Sequence, residues 1–323
     1  MDCKNTIIDF CNSIGIDTLG FIRCRVFEEL RPYLLERKLD KLENEFEEKD
    51  VEKRVNPFLY MKEGKTIISI AFPYSYDDII SSEEGFSKYT WGSDYHKVVS
   101  KYLEQICNFI NSIGGRAIYF VDNNALPERY IAKLSGIGFI GKNNMLITQK
   151  YGSYVFLGEI ITDLYFEEDK ALENGCGDCN ICAKQCPTKA VSSSHSNICL
   201  SYITQKKHIE DFWFSKLNGR LFGCDSCQRL CPYNESVIKS NINLFKPNDY
   251  MINPNLLELV YIDNKNFNAK YKLTSCGWRG KAILQRNALI YLMSKKVENI
   301  DFRKINSPYV MDYYNRLLNY FKL

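Results

Sequence analysis

Eight of the thirteen cysteines fall between Cys176 and Cys231, in two runs whose spacing fits one chemistry. The first run is Cys176-Gly-Asp-Cys179-Asn-Ile-Cys182-Ala-Lys-Gln-Cys186-Pro187, or C-x2-C-x2-C-x3-C-P. Three closely spaced thiolates can cap three irons of a [4Fe–4S] cubane, and the proline carries the fourth cysteine away to a second cluster. The second run, Cys224-Asp-Ser-Cys227-Gln-Arg-Leu-Cys231-Pro232, lacks one member, which Cys199 supplies from between the runs. The exchange rule then assigns Cys176, Cys179, Cys182 and Cys231 to one cluster. Cys186, Cys199, Cys224 and Cys227 form the other, with no ligand left over. Structural zinc uses cysteine pairs separated by a longer loop and does not account for the third cysteine of the first run. Two neighbouring clusters make an electron wire.

The elements that must position this wire are legible in part. Asn5 to Ile14 reads as a short helix, and charge-dense Arg31 to Arg54 as an exposed helix or helix pair ended by Asn56-Pro57. Thr66 to Phe72 is a buried strand stopped by Pro73. Tyr95 to Ile113 is the clearest helix. Its apolar residues Val99, Tyr102, Leu103, Ile106, Phe109, Ile110 and Ile113 recur at steps of three and four, and Gly114-Gly115 ends it. Arg116 to Val121 is the next strand, Pro127 to Ser135 a helix opened by proline, and Tyr154 to Ile161 a further strand. Beyond the cysteines come loops with little regular structure, a helix near Lys281 to Lys295, and one more near Tyr309 to Phe321. Three parts are expected: residues 1–172, 173–240 and 241–323. The scattered Cys3, Cys11, Cys24, Cys107 and Cys276 read as small buried apolar residues.

Asp122 stands at the end of a predicted strand, where ligand-facing residues collect in α/β sheets. Taken alone, it could equally start a turn or cap the helix entering at Pro127. The chain has no G-x-G-x-x-G after a strand and no P-loop, so no nucleotide site is indicated.

Several segments together resemble the epoxyqueuosine reductase family. They are Tyr89-Thr-Trp-Gly-Ser-Asp94-Tyr95-His96-Lys97, Val121 to Arg129, Gly136 to Asn143, Tyr151 to Ile160, Cys199-Leu-Ser-Tyr-Ile-Thr204 and Phe222-Gly-Cys-Asp-Ser-Cys-Gln. The resemblance runs in unbroken order from about Asn56 to Asn234. It implies an α/β fold: an α+β, nitroreductase-like cobalamin domain, a bacterial-type two-[4Fe–4S] ferredoxin domain and a short C-terminal helical segment of HEAT-like type. It also implies a cytoplasmic enzyme that reduces an epoxide to an alkene, with loss of water, at the wobble nucleotide of certain tRNAs. Removing the epoxide oxygen needs two electrons and a proton donor. Reduced cobalamin is a strong carbon nucleophile, the clusters can feed it electrons singly, and the departing alkoxide must be protonated. Asp122 matches the family's proton donor, and burial beside an apolar corrin is expected to raise its pKa. The resemblance places Tyr95, His96, Asp122, Gly141, Lys142, Asn143, Ser153, Val155 and Leu157 near cobalamin. Gly138, Gly141 and Gly158 are expected to let backbone approach the flat cofactor.

Net charge is only +3, but from Asn264 onward 12 Lys and Arg face 3 acidic residues, a net of +9 that leaves −6 for the rest. With the family resemblance this points to a tRNA anticodon arm, contacted by Trp278, Arg279, Lys281 and Arg286. No apolar run is long enough to span a bilayer and the start lacks a secretory pattern, so a soluble monomer fed by an external low-potential electron donor is expected. The 323 residues, 45% of them hydrophobic, can build two to three modules. Two other readings stand beside this one: a corrinoid iron–sulfur reductase of a small molecule, similar to reductive dehalogenases, and a ferredoxin-type electron carrier.

Overall fold

The computed structural model describes all residues except 1, 2, 77, 78, 80, 81, 123, 298, 299 and 323, and only the backbone of Cys3. It divides into two compact units that do not follow chain order. The first is Met1–Asp77, Tyr95–Ile181 and Leu230–Asn243; the second is Asp78–Asp94, Cys182–Arg229 and Leu244–Leu323.

The first unit is built on a four-stranded sheet. Strands β1 (Leu19–Arg23), β2 (Thr66–Pro73), β3 (Ala117–Phe120) and β4 (Val155–Thr162) lie in the order β1-β2-β4-β3, every neighbouring pair antiparallel. The β-branched run Thr66-Ile-Ile-Ser-Ile favours this central position, and Ile67, Ile68, Ile70, Ile160 and Ile161 have no exposed surface. Helices α1 (Cys3–Ser13) and α2 (Tyr95–Ser112) pack together, α2 lying on β3 and β4. Helix α2 turns Val98, Val99, Leu103, Ile106, Cys107 and Ile110 inward, the stripe its periodicity predicts. Helix α3 (Glu128–Leu134) packs on β1, β2 and β4, where Ile131 and Leu126 join Ile22, Ile67 and Ile161 in one core. Burying a side chain such as Ile131 contributes roughly 1.5–3 kcal/mol.

The charge-dense stretch resolves into Arg31–Leu39 and Val51–Val55, so the helix-pair expectation holds. Cys11, Cys24, Cys107 and Cys276 are buried as expected, and burial pushes their thiols up to about 12. The corresponding reading of the Cys3 side chain lies outside the described residues.

The second unit packs helices α4 (Leu256–Tyr261), α5 (Lys281–Ser294) and α6 (Pro308–Phe321) around one core, with a short parallel pair of strands, Gly85–Phe86 and Arg220–Phe222. Helix α5 is its axis: every residue from Ile283 to Ile290 is buried. The stretch between Asn243 and Gly280 is more regular than expected. Besides α4 it holds helical turns at Asp249–Ile252 and Asn264–Ala269. These elements are too short to show a period. Their caps were nonetheless written in the sequence: Asn255 accepts from the Glu258 N–H and Asp263 from the Asn266 N–H.

Among the described residues no helix is long and apolar enough to cross a membrane.

Candidate active site

The second unit gathers Cys186, Cys199, Cys224 and Cys227. The Cys199 thiol is pushed up to about 11, first by burial and then by the charges of Cys224 and Cys186. Cys227 is raised well above the ordinary thiol range by burial and by Cys224, Cys199 and Cys186. These thiols lie near enough for their charges to oppose one another, and a cationic metal bound among them would reverse that penalty. Cys186 moves the other way. Burial opposes its ionisation, but the backbone N–H groups of Val191, Thr188 and Ala190 and the Thr188 hydroxyl outweigh it. Such donors to sulfur are one means by which proteins tune cluster potentials.

The backbone holding this quartet is tied down. Gly223 N–H donates to Thr204 Oγ1 at 2.9 Å, joining the segment after Cys199 to the one before Cys224. Asp225 accepts from the Ser87 hydroxyl and from the Lys88 N–H, the latter at 2.8 Å. Gly223 sits at φ +78°, and a Cβ there would lie 2.5 Å from that of Ser87, so the turn into Cys224 requires glycine.

Cys176, Cys179 and Cys231 belong to the first unit, and Cys182 opens the second. Within the first unit the Tyr233 hydroxyl donates to the Gly175 carbonyl at 2.8 Å. This bond ties the segment after Cys231 to the residue before Cys176. Lys142 Nζ donates to the carbonyls of Gly177 at 2.6 Å and Cys179 at 3.0 Å, clamping the same loop. Among the described residues, no three His, Cys, Asp or Glu side chains converge on a point that a single metal ion would fill.

The first unit also assembles the acid. Asp122 follows β3 in the left-handed region, φ +46°, a conformation that Asp tolerates better than most residues. Its Oδ2 accepts from the Tyr95 hydroxyl and lies 3.3 Å from His96 Nε2, both from the first turn of α2. Tyr95 stacks on Phe156, centroids 4.2 Å apart and planes 6° apart, and on His96 at 4.1 Å. An aromatic wall thus stands beside a carboxyl whose side chain keeps 55% of its surface open.

The expected rise in the Asp122 pKa is corrected by this geometry. Desolvation does push it up, but the donors His96 and Tyr95 and the positive charge of Arg129 outweigh it, and the carboxyl lies below its ordinary range.

Of the residues placed near cobalamin, Tyr95, His96 and Asp122 are brought together; the others are occupied by the protein itself. Lys142 holds the Cys176–Cys179 loop, and Asn143 Oδ1 accepts from the Met145 N–H at 3.2 Å. Ser153 Oγ accepts from Asn234 at 2.9 Å. Val155 is in the core with Ala71 and Ala132, and Leu157 packs against it. A Cβ at Gly138 would strike the Ile147 carbonyl at 2.6 Å, at Gly141 the Ile147 side chain at 2.5 Å, and at Gly158 the Leu103 side chain at 2.7 Å. Their smallness serves packing within the protein.

Arg286 is corrected as an RNA contact because it has no exposed surface. Its guanidinium donates to the carbonyls of Lys206 at 2.6 Å, Lys207 at 3.2 Å and Thr204 at 3.0 Å. Trp278 is 53% exposed, with the Arg279 guanidinium 4.8 Å from its ring centroid while Arg279 Nε donates to the Gln205 carbonyl. Lys281 opens α5 and is partly exposed. Sequence reasoning missed Glu128 and Glu159, two acids behind Asp122; the signal was a lone glutamate inside the apolar run Val155–Thr162.

Cysteine runs of this spacing, on a mixed α/β fold, fit an iron–sulfur oxidoreductase. The comparisons carry this further. A family model described as epoxyqueuosine reductase QueG, DUF1730, matches residues 54–123, and a 4Fe-4S double cluster binding domain matches residues 175–234. An epoxyqueuosine reductase of Bacillus cereus is 36% identical over 302 residues, covering 90% of this chain and 80% of that protein. The structure of epoxyqueuosine reductase from Streptococcus thermophilus superposes with TM-score 0.91 at 32% identity, covering 99% of this chain and 90% of that one. An epoxyqueuosine reductase bound to an epoxyqueuosine-modified tRNA-Tyr stem loop gives TM-score 0.90, with the same identity and coverage. The chain belongs to the epoxyqueuosine reductase family.

Proposed function

We propose that this chain reduces epoxyqueuosine to queuosine at the wobble position of tRNA, with electrons passing through two [4Fe–4S] clusters to cobalamin and a proton coming from Asp122. The reaction takes two electrons and two protons and releases water. The observation that carries the reading is the open Asp122 carboxyl set between Tyr95 and His96 beside the Tyr95–Phe156 stack. A planar apolar wall next to an open carboxyl suits a flat macrocycle with substrate held against it. The tRNA-bound relative supports the substrate.

In this reading Cys176, Cys179, Cys182 and Cys231 hold one cluster, and Cys186, Cys199, Cys224 and Cys227 hold the other. Tyr95, His96 and Asp122 face the cofactor. Cobalamin, when bound, supplies a low-potential cobalt able to pass electrons to carbon. The protein supplies the rest. Tyr95 and His96 orient Asp122 and hold its charge while the cleft is wet. Substrate and cofactor bound against Asp122 would exclude water and strengthen the desolvation that already opposes ionisation. A proton then resides on Asp122, where the departing oxygen takes it. Trp278, Arg279 and Lys281 remain the tRNA contacts of this proposal, and the three-part division into residues 1–172, 173–240 and 241–323 is its functional counterpart: cofactor, wire and RNA grip.

Asp122→Asn tests it. With cobalamin and clusters reconstituted anaerobically, the variant keeps both cofactors but loses turnover by about 10^2–10^4, the usual worth of general acid catalysis. Nucleosides from digested tRNA are the readout, and full turnover in the variant refutes the role of Asp122.

A further inference from the structure

Two more carboxyls lie behind Asp122 in the first unit. Glu159 sits on β4 opposite Ser69 of β2 and Phe120 of β3, with no exposed surface. Ser69 Oγ donates weakly to its Oε1 at 3.4 Å, while its buried Oε2 meets no donor. Glu128 is the first residue of α3, which packs on β4, and its carboxyl is close enough to Glu159 for its charge to oppose ionisation there. Two ionised carboxylates offer only acceptors to one another, so a bond between them would require a proton. Glu128 Oε1 also accepts from the Asp122 N–H at 2.7 Å and from the Asn124 amide at 2.8 Å. The first of these bonds pins the turn that holds Asp122 at positive φ.

We propose that Glu128 and Glu159 share one buried proton and act as positioning residues for Asp122, fixing its turn and setting its acidity. This rests on the reading of Asp122 as the proton donor. The charged and titratable groups around the pair are Asp122 on the loop after β3, Tyr95 and His96 on α2, and Arg129 on α3. Burial and the Asp122 charge push Glu128 up to about 7, opposed by Asn124, the Asp122 N–H and Arg129. Burial and the neighbouring Glu128 and Asp122 push Glu159 well above the ordinary carboxyl range, and its buried Oε2, which meets no donor, is where a proton relieves an uncompensated charge. Near neutral pH the pair therefore gains or loses a single charge beside Asp122. A charge on Glu128 favours the protonated form of Asp122, because like charges disfavour ionisation.

Opposite shifts follow from two isosteric substitutions. Glu128→Gln removes the charge at every pH and moves the alkaline limb of kcat/KM down. Glu159→Gln gives Glu128 a permanent amide donor, ionises it at lower pH, and moves that limb up. Each shift is on the order of one pH unit. Infrared spectra of the holoenzyme in D2O provide a readout apart from turnover. A protonated-carboxyl band persists above pH 7, disappears in Glu159→Gln, and shifts in Ser69→Ala, which removes the hydroxyl donor to Glu159 while keeping both glutamates. Absence of the band, its persistence in Glu159→Gln, or limbs that move together or not at all would overturn the pair. Full turnover in Asp122→Asn with the band intact would overturn the Asp122 reading instead, so the two failures are distinguishable.

Discussion

Replacing Arg286 by Met separates a structural role from an RNA contact. The guanidinium is fully buried and bridges the Thr204, Lys206 and Lys207 carbonyls, the Tyr309 hydroxyl and Asn287 Oδ1, with its Cζ 5.5 Å from the Tyr313 ring centroid. Methionine keeps the apolar stem in place. The Thr204 carbonyl retains the Asn287 amide and the Lys207 carbonyl the Tyr309 hydroxyl. The Lys206 carbonyl is left without its 2.6 Å donor, and Asn287 Oδ1 without both of the donors Arg286 gives it. Each orphaned acceptor costs about 1–3 kcal/mol, and hydrogen bonds to a charged group contribute about 1.5–3 kcal/mol each. A net loss of about 3 kcal/mol is expected. At roughly 2–4 °C per kcal/mol for a unit of this size, melting of the holoenzyme falls by about 6–12 °C. Iron leaves more readily as well, because Thr204 also receives the Gly223 N–H that sets the turn into Cys224. Differential scanning calorimetry and iron release to a chelator measure both. Unchanged melting with weakened binding of a tRNA anticodon stem loop would refute the argument and restore Arg286 as an RNA contact.

Other outcomes are equally specific. Lys142→Met frees the Gly177 and Cys179 carbonyls, so one cluster loses iron faster to a chelator while corrin retention is unchanged; lowered corrin retention at unchanged iron loss would show that Lys142 touches cobalamin instead. Glu128→Gln gains stability over the native chain as pH rises. The native carboxyl stays neutral up to about 7 when folded but ionises near the ordinary 4.5 when unfolded, so the native chain loses stability across that window. At about 1.4 kcal/mol per unit, the difference levels above pH 7 at no more than about 3.5 kcal/mol. Parallel melting profiles from pH 4 to 8 would contradict this. Trp278→Ala lowers affinity for the stem loop by about 1–3 kcal/mol if a base stacks on it, with melting unchanged; equal affinity removes Trp278 from the interface.

How much of this was legible depended on whether the signal was local. The cysteine runs state their chemistry by spacing, and α2 states its buried face by period. Asp122 was legible through the motif around it. Its acidity was not, because Tyr95 and His96 reach it from a helix that begins 27 residues earlier in the chain. Arg286 misled because a basic residue near Arg279 and Lys281 resembles a phosphate contact. The informative feature was its place between the apolar stretches Ala282–Leu284 and Ala288–Ile290, where a charge must find carbonyls inside. Glu159 carried the same signal in β4. The two units interleave three chain segments each, a division that no composition shift reveals. The C-terminal turns were missed because each buries only one turn of apolar surface.

The most direct measurement is the iron and sulfide content of anaerobically prepared protein, native and Cys227→Ala. Two clusters predict about eight irons and eight sulfides per chain, falling to about half in the variant as one cubane is lost. Zinc in place of iron, or iron content unaffected by removing Cys227, would contradict the account.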